Sequence, residues 1–172
     1  FIHVTHNQEE AMTIADRIAI VAGGELVEEG SPRDIYERPR RRFTAEFIGD
    51  NNIFQGTVIE QVGSDVKVDL GYAKIDVSAD DTFVRKGEEV AVSVRSELLQ
   101  LVGPDIDFAN TVPARYVEEV YLGLTTSHLV RLSNGTEVAV RLISEEKNTP
   151  QFRSNQEVNV GWHKSSARLH NN

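Results

Sequence analysis

The chain has 172 residues, of which 18 are basic and 27 acidic, and its formal net charge is −9. It contains no Cys, which excludes disulfide scaffolds, thiol nucleophiles and cysteine-based zinc sites. The acidic balance argues against nucleic acid as a partner, because such binding needs a basic surface. No apolar run approaches the roughly 18 residues of a membrane span. The start at Phe1, without a signal peptide, predicts a fragment or a processed chain.

Residues 1–50 have the pattern of a mixed α/β structure. The apolar residues 1–4 predict a short buried strand. Asn7 has the character of a helix N-cap, and Glu10 follows it at the spacing of a capping box. An apolar stripe at helical spacing comes next. It consists of Ala11, Met12, Ile14, Ala15 and Ile18.

A hairpin and two short helices are predicted after this first helix. Residues 17–21 and 25–28 have the composition of two strands around a Gly-Gly turn. Ser31 has the preference of an N-cap, and Pro32 suits the first helical position because its missing N–H would have no partner there. Residues 41–48 predict a last helix, which a glycine closes.

From residue 52 onward the sequence changes to short runs of alternating polar and apolar residues. Glycine-containing pairs separate these runs, and Asn134-Gly135 is the strongest short-range signal for a hairpin. Strands at this density are typical of a barrel or a sandwich. The predicted strands are residues 57–62, 66–70, 73–77, 90–94, 114–120, 127–132, 137–141 and 157–162.

This β region contains an internal repeat. Residues 87–92 align with residues 155–160 at an offset of 68 residues (155 − 87), and both copies continue to a hydrophobic close. Residues 56–63 resemble residues 114–120 in the same way. Two copies of about 55 to 65 residues predict two small OB-like β barrels in tandem.

The sequence carries no complete set of catalytic motifs. It lacks the phosphate loop G-x-x-x-x-G-K-[ST], the dinucleotide loop G-x-G-x-x-G, the nucleophile elbow G-x-S-x-G and the zinc motif H-E-x-x-H. One local pattern is specific: residues 2–12 indicate a strand, then His6, then a capped acidic helix. The pattern continues through residues 15–21, 24–32, 35–39 and 43–49.

These motifs, in this order, resemble the end of the ATP-binding subunit of ABC transporters, from the switch-histidine loop onward, and the later ones resemble its importer branch. Residues 51–172 resemble the transport-associated OB domain of those subunits, through residues 52–54, residues 92–97 and Gly123. The family usually has Pro between the Arg and the Glu of residues 92–97. This chain has Ser96 there, which predicts a less rigid turn.

The resemblance implies a catalytic role for His6 in the full-length parent subunit, where ATP and Mg are the cofactors. Such a histidine lies at the end of a strand, hydrogen-bonds the γ-phosphate and helps to hold the hydrolytic water. A placed donor stabilises the charge that develops on a transferring phosphoryl group. The residues alone leave a second interpretation open, in which His6 only ends a strand, as we expect for His3. The fragment itself is expected to bind no cofactor and no metal, because it lacks the phosphate loop.

The predicted fold class is α+β and mainly β. Residues 1–50 are interpreted as the C-terminal remnant of an ABC nucleotide-binding domain. Residues 51–172 are interpreted as a transport-associated OB-type β domain with two OB-like halves, at about residues 51–105 and 106–172.

The resemblance also implies partners and a location. The parent would be an ABC transporter ATPase that forms a homodimer with a second ATPase subunit and works with membrane permease subunits. It would be cytoplasmic and peripheral on the inner face of the cell membrane. Residues 52–56 and 158–162 resemble spermidine/putrescine importers most, although ferric-iron, sugar and sulfate or molybdate importers share the architecture.

Three interpretations of the β region remain open. It is a regulatory and dimerisation module, a binding module that senses a small regulatory solute, or a purely structural dimer module. A nucleic-acid partner is excluded by charge, because residues 51–172 carry 12 basic and 17 acidic side chains and have no aromatic residues interleaved with basic ones.

Three weaker candidates each have a structural alternative. A basic run could bind phosphate or an anionic lipid surface, or it could solvate a linker. Acidic pairs could attract a cation, or they could be charged turns and edges. Trp162 with His163 could stack on a ligand, or Trp162 could lie in the core. The basic run is Arg38, Arg40, Arg41 and Arg42, and the acidic pairs are residues 28–29, 80–81, 88–89, 118–119 and 145–146.

Overall fold

The structure, a computed structural model, describes residues 1–79, 82–102, 108–144 and 152–171. The first 50 residues form a small α/β unit of three short helices and one hairpin. Its elements are α1 (Gln8–Ile14), β1 (Ile18–Ala22), β2 (Glu25–Gly30), α2 (Pro32–Glu37) and α3 (Arg42–Phe47). None of the helices in these described ranges has the length and apolar character needed to cross a membrane.

The predicted helix starts are confirmed by their cap geometry. The Asn7 side chain accepts hydrogen bonds from the backbone N–H groups of Glu9 and Glu10, at 3.0 and 3.3 Å. Glu10 does not close a capping box onto Asn7. Its carboxylate instead accepts from the Thr5 hydroxyl at 2.7 Å, and the Thr5 oxygen accepts from the Asn7 backbone N–H at 3.0 Å. Ser31 caps α2 as predicted and accepts from the Asp34 N–H at 3.1 Å.

Two expectations for this unit are wrong. Residues 1–4 form no strand, and the side chains of Phe1, Ile2 and Val4 are exposed. Parallel-sheet strands depend on neighbours for their backbone hydrogen bonds, and no strand within the described ranges pairs with this segment. The apolar stripe assigned to α1 does not extend to Ile18, which begins β1 as the strand prediction for residues 17–21 requires and packs on the small core around Ile35.

The remaining chain is mainly β, as predicted. Its ten strands build one β body, in which every ladder is antiparallel. They are β3 (Asn51–Val62), β4 (Asp65–Asp69), β5 (Lys74–Ser78), β6 (Glu89–Arg95), β7 (Gln100–Val102), β8 (Asn110–Tyr121), β9 (Thr125–Leu132), β10 (Glu137–Ile143), β11 (Glu157–Trp162) and β12 (Ala167–Asn171).

The two halves of the β body exchange their last strands. One sheet has the order β5-β4-β3-β6-β12, and the other has the order β10-β9-β8-β11-β7. β12 therefore pairs with β6 of the first half, and β7 pairs with β11 of the second half. The described strands form two five-stranded sheets that are not closed barrels, and each half contributes its last strand to the sheet of the other.

The repeat inferred from the sequence has a counterpart in the backbone. Single-turn 3-10 helices follow β6 and β11, at Ser96–Leu98 and Lys164–Ser166, and these are also 68 residues apart (164 − 96). The turns before the two strands match as well. Gly87 has a φ of 86° and Asn155, at the equivalent position, has a φ of 67°, which is a region that Gly and Asn tolerate best.

One hydrophobic core joins the two halves. The Trp162 ring is fully buried and stacks on the Phe54 ring, with centroids 5.1 Å apart and planes at 18°. Buried apolar side chains of both sheets surround this pair in a single cluster. Trp162 is therefore a core residue, as the structural alternative predicted, and it is not exposed to stack on a ligand.

Two asparagine clasps tie each half to a strand of the other. The Asn52 side chain accepts from the Ala139 backbone N–H at 2.8 Å and donates to the Ala139 carbonyl at 2.9 Å. The Asn110 side chain makes the same pair of bonds with the backbone of Asp76, at 2.7 and 2.8 Å. Both asparagines are buried near the start of the first strand of their half, so each clasp joins the two sheets.

We expect Asn52→Leu to lower the free energy of unfolding of the 172-residue chain by about 1–3 kcal/mol, because it leaves the Ala139 N–H and carbonyl without partners. Urea denaturation followed by circular dichroism measures this change. Asn159→Leu, at a half-buried strand position, is the matched control and should change the value by less than about 0.5 kcal/mol. If both variants lost the same free energy of unfolding, the Asn52 clasp would contribute no more to stability than an ordinary asparagine in a strand.

Candidate functional site

His6 lies in an exposed loop between the unpaired residues 1–5 and helix α1. Both of its neighbours are fixed. Thr5 bonds to Glu10 and to the Asn7 N–H, and the Asn7 carbonyl accepts from the Ala11 N–H at 3.1 Å. The backbone on either side of His6 is therefore held by the first turn of α1, while the imidazole remains open to solvent.

A carboxylate lies beside this loop. The Thr5 hydroxyl and the His3 imidazole, whose Nε2 is 3.3 Å from the Glu10 carboxylate, lower the pKa of Glu10. His3 thus contacts Glu10, which fits the structural role expected for it. The Glu10 charge keeps Thr5 in place and so supports the loop that carries His6.

Gln8 connects this loop to the end of helix α3. Its side-chain Nε2 donates to the Phe47 carbonyl at 2.7 Å, and its Oε1 accepts from the Gly49 backbone N–H at 2.9 Å. The sequence analysis assigned no role to Gln8. A glutamine at the first helical position has no local partner that would have revealed one.

Arg95 continues the connection from α3 into the β body. Its guanidinium carbon lies 3.5 Å from the centroid of the Tyr36 ring, its Nε donates to the Tyr36 carbonyl at 3.0 Å, and its Nη1 donates to the Ile48 carbonyl at 3.2 Å. Burial lowers the pKa of Arg95. Gly49 has a φ of 69°, and a Cβ there would clash with the Arg95 guanidinium, so the chain turns closely around this side chain.

Two further contacts strengthen this junction. The Tyr36 hydroxyl donates to the Glu97 carboxylate at 2.9 Å, and burial together with this carboxylate raises the Tyr36 pKa. The Asn51 side chain donates to the carbonyls of Ala45 and Ile48, at 2.7 and 3.2 Å. The helical unit and the β body are therefore joined by specific polar contacts rather than by a loose linker.

Ser96 stabilises the junction in a way that Pro could not. Its backbone N–H donates to the Asp50 carbonyl at 2.9 Å, and the residue is buried. Pro has no N–H and would lose this bond. The serine therefore adds a hydrogen bond between the junction and the turn, and the expectation of a less rigid turn stays a prediction.

A cleft of about 300 Å³ opens beside the junction. Its lining combines basic, acidic and hydroxyl side chains, so it carries no single sign of charge. These include Tyr36, Arg95, Glu97, Ser165, Ser166 and Arg168. The Arg168 Nε donates to the Glu37 carbonyl at 3.3 Å, so this cation also contributes to holding the wall together.

The weaker candidates have local partners. In the basic run, the backbone N–H groups of Arg40 and Arg41 donate to the Glu28 carboxylate, at 2.9 and 3.1 Å. Arg42 pairs with Glu46 at 2.7 Å. These contacts favour the interpretation of the run as a structured linker. The acidic pairs at residues 80–81 and 145–146 lie outside the described residues.

His128 places a buried histidine in the core of the second half of the β body. His128 is fully buried, its Nδ1 is 3.0 Å from the Tyr116 hydroxyl and 3.8 Å from the Glu119 carboxylate, and its Nε2 has no hydrogen-bond partner among the described residues. Burial lowers the pKa of His128, although Glu119 opposes this. The strand registers place Val66 at the equivalent position of the first half.

Comparison with known proteins identifies relatives that are similar to this chain in sequence. Residues 92–169 match the TOBE domain family. The chain is 35% identical over 164 residues to a spermidine/putrescine import ATP-binding protein of Marinobacter nauticus, covering 94% of this chain and 43% of that protein. It is 39% identical over 143 residues to the corresponding protein of Trichormus variabilis, covering 81% and 38%. The chain therefore spans less than half the length of these relatives.

A solved structure shares the fold of the β body. The cytoplasmic molybdate-binding protein ModG, in its molybdate-bound form, superposes with a TM-score of 0.63, covering 73% of this chain and 99% of that chain. The sequence identity is 17%, so the likeness concerns the fold alone. It confirms the prediction of an OB-like architecture.

We expect Arg95→Lys to loosen the helical unit while leaving the β body intact, because an ammonium group cannot stack on Tyr36 and reach two carbonyls at once. Hydrogen exchange of the 172-residue chain should show protection of the Ile35 and Ile48 amides lowered about tenfold, as expected for the loss of roughly 1.4 kcal/mol. Arg131→Lys, at an exposed pair with Glu137, is the control. Unchanged protection of both amides would contradict a clamping role for Arg95.

We expect His128→Val to make stability less sensitive to acid. The folded chain holds His128 with a lowered pKa, whereas the unfolded chain takes up the proton near pH 6.5. The stability contributed by neutral His128 is therefore present above about pH 6.5 and is lost as the pH falls. Urea midpoints at pH 7.5 and 5.0 should differ less for His128→Val than for the unmodified chain. The prediction would be contradicted if the urea midpoints at the two pH values differed as much in His128→Val as in the unmodified chain. It would also be contradicted if the control His163→Val, at an exposed position, reduced this difference as much as His128→Val does.

Proposed function

We infer that this chain belongs to the TOBE-containing ATP-binding subunits of ABC importers and is the C-terminal part of a subunit that couples ATP hydrolysis to solute uptake. The observation that carries the inference is the identity of 35–39% to import ATP-binding proteins over 81–94% of the chain. The order of motifs from the His6 loop to the TOBE domain supports the same assignment.

His6 is the residue through which this chain would take part in ATP hydrolysis. An exposed imidazole on a fixed loop fits an oxyanion, since it can donate a hydrogen bond without moving the backbone. ATP with Mg supplies the phosphoryl group that is transferred. In the full-length parent, His6 would donate to the γ-phosphate and help to orient the attacking water. We expect the 172-residue chain alone not to hydrolyse ATP, because its sequence has no phosphate loop.

The proposed solute is a polyamine. The relatives named above are spermidine/putrescine import proteins, and this name supports the assignment more directly than any residue of the chain. Importers of ferric iron, sugar, or sulfate and molybdate are the alternatives. The partners of the parent would be a second ATPase subunit and the membrane permease subunits, at the cytoplasmic face of the membrane.

The β body would serve regulation and dimerisation. We propose residues 1–50 as the end of the nucleotide-binding domain and residues 51–172 as the TOBE-type domain. The boundary proposed between its halves, near residues 105 and 106, lies outside the described residues. Sensing of a small solute is the alternative role, and the mixed-charge cleft beside Arg95 is the place where the described residues would allow it.

We expect His6→Ala in the full-length parent, reconstituted with its permease subunits, to leave ATP binding largely intact and to lower ATP turnover by about tenfold to a thousandfold, the effect of losing one donor to the transition state. ATP-dependent spermidine uptake should fall in parallel. His163→Ala, an exposed histidine of the β body, is the control.

Two results would contradict parts of this proposal separately. Unchanged turnover in His6→Ala would remove His6 from the mechanism. ATP turnover without spermidine uptake in the unmodified parent would contradict the polyamine assignment, and uptake of one of the alternative solutes would replace it.

A further inference from the structure

We propose that Gln8 is a positioning residue for ATP hydrolysis. It holds the His6 loop in a fixed position relative to the β body through the end of helix α3. The inference rests on the proposed function of His6. It assigns to Gln8 the task of fixing where the imidazole stands, with no contact to the reacting atoms.

The geometry of Gln8 is that of a two-bond clasp. Its Nε2 donates to the Phe47 carbonyl at 2.7 Å and its Oε1 accepts from the Gly49 N–H at 2.9 Å. These partners are 39 and 41 residues away in sequence. A glutamate at this position could not make both bonds, because a carboxylate cannot donate to a carbonyl. The clasp therefore fixes the start of α1 against the end of α3 in both distance and orientation.

On one side, the clasp leads directly to His6. Gln8 is the first residue of α1, and Asn7 caps the same turn through the N–H groups of Glu9 and Glu10. His6 precedes that cap, and the contact between Thr5 and Glu10 closes the loop behind it. A displacement of the first turn of α1 would therefore carry the His6 backbone with it.

On the other side, the clasp leads to the β body. Ile48 lies between the two backbone partners of Gln8, and its carbonyl accepts from the Arg95 Nη1 at 3.2 Å and from the Asn51 side chain at 3.2 Å. Arg95 ends β6 and Asn51 begins β3. Two strands of the β body thus hold the segment that Gln8 grips, so a movement of these strands would reach His6 through a short series of hydrogen bonds.

The test uses the full-length parent and the variant Gln8→Leu, which keeps the helix and removes both bonds. We expect kcat for ATP hydrolysis to fall about tenfold to a hundredfold, the scale of a small misplacement of a group that acts on the transition state. The KM for ATP should stay within about twofold, because uniform binding is unaffected. Gln8→Glu should not restore turnover, since it lacks the donor.

A matched control lies in the β body. Gln61 makes the same kind of clasp, accepting from the Val84 N–H at 2.9 Å and donating to the Thr82 carbonyl at 3.0 Å. Gln61→Leu should leave kcat within about twofold of the parent value, because this clasp is not connected to the His6 loop. Hydrogen exchange of the 172-residue chain supplies a structural readout. The Gly49 amide should exchange faster in Gln8→Leu than in the unmodified chain, and its exchange rate should be unchanged in Gln61→Leu.

The double variant separates this inference from the proposed function. If Gln8 acts only through His6, then His6→Ala with Gln8→Leu should turn over as slowly as His6→Ala alone. Multiplied losses in the double variant, or an unchanged kcat in Gln8→Leu while His6→Ala is impaired, would overturn the role of Gln8. Unchanged turnover in His6→Ala would instead overturn the role of His6 and, with it, that of Gln8.

Discussion

Pairing between a side-chain amide and the backbone of a distant segment holds this molecule together. Gln8, Asn52 and Asn110 each donate to one carbonyl and accept from one N–H of a segment that lies far away in sequence. A side-chain amide has an N–H donor and a carbonyl acceptor on one planar group, so it can satisfy both backbone groups at once. The sheets supply the apolar core, Asn52 and Asn110 fix the two sheets relative to one another, and Gln8 fixes the start of the helical unit against its end.

The duplication in the β body produces two of these amide contacts from one repeated position. Asn52 and Asn110 occupy equivalent positions of the two halves, and each binds the other half, at Ala139 and Asp76. The contacts are thus reciprocal, as in an interface between two copies of one protein. The halves have diverged where they need not match: Val66 of the first half is a fully apolar core position, whereas its counterpart His128 brings a titratable ring into the core.

Local rules predicted much of the fold. Asn7 and Ser31 cap their helices, and the eight strands predicted by alternation are present, five of them longer than predicted and two shifted by one residue. The same rules failed where partners are distant. β7 has three residues and no alternation that marks it, and it exists only because β11 accepts it. The apolar residues 1–4 satisfied a local pattern and still form no strand, because no described strand lies beside them.

The candidate site shows the same division. His6 was found because a short motif surrounds it, whereas Gln8 and Arg95 act through partners that are tens of residues away. A single sequence carries no local record of such contacts. The hydrogen bond of Ser96 was missed for the same reason, since the acceptor of its N–H, the Asp50 carbonyl, belongs to the other side of the junction.

The exchange of last strands has a consequence for how the protein is made. β6 receives its outer neighbour from residues 167–171, which the ribosome adds more than seventy residues later. The first sheet therefore cannot be completed during synthesis of the first half, and its β6 edge must wait unpaired while the second half emerges. Bare strand edges attract other chains. The nascent protein is thus exposed to aggregation until residues 167–171 are released, and loss of these residues would damage the sheet made first.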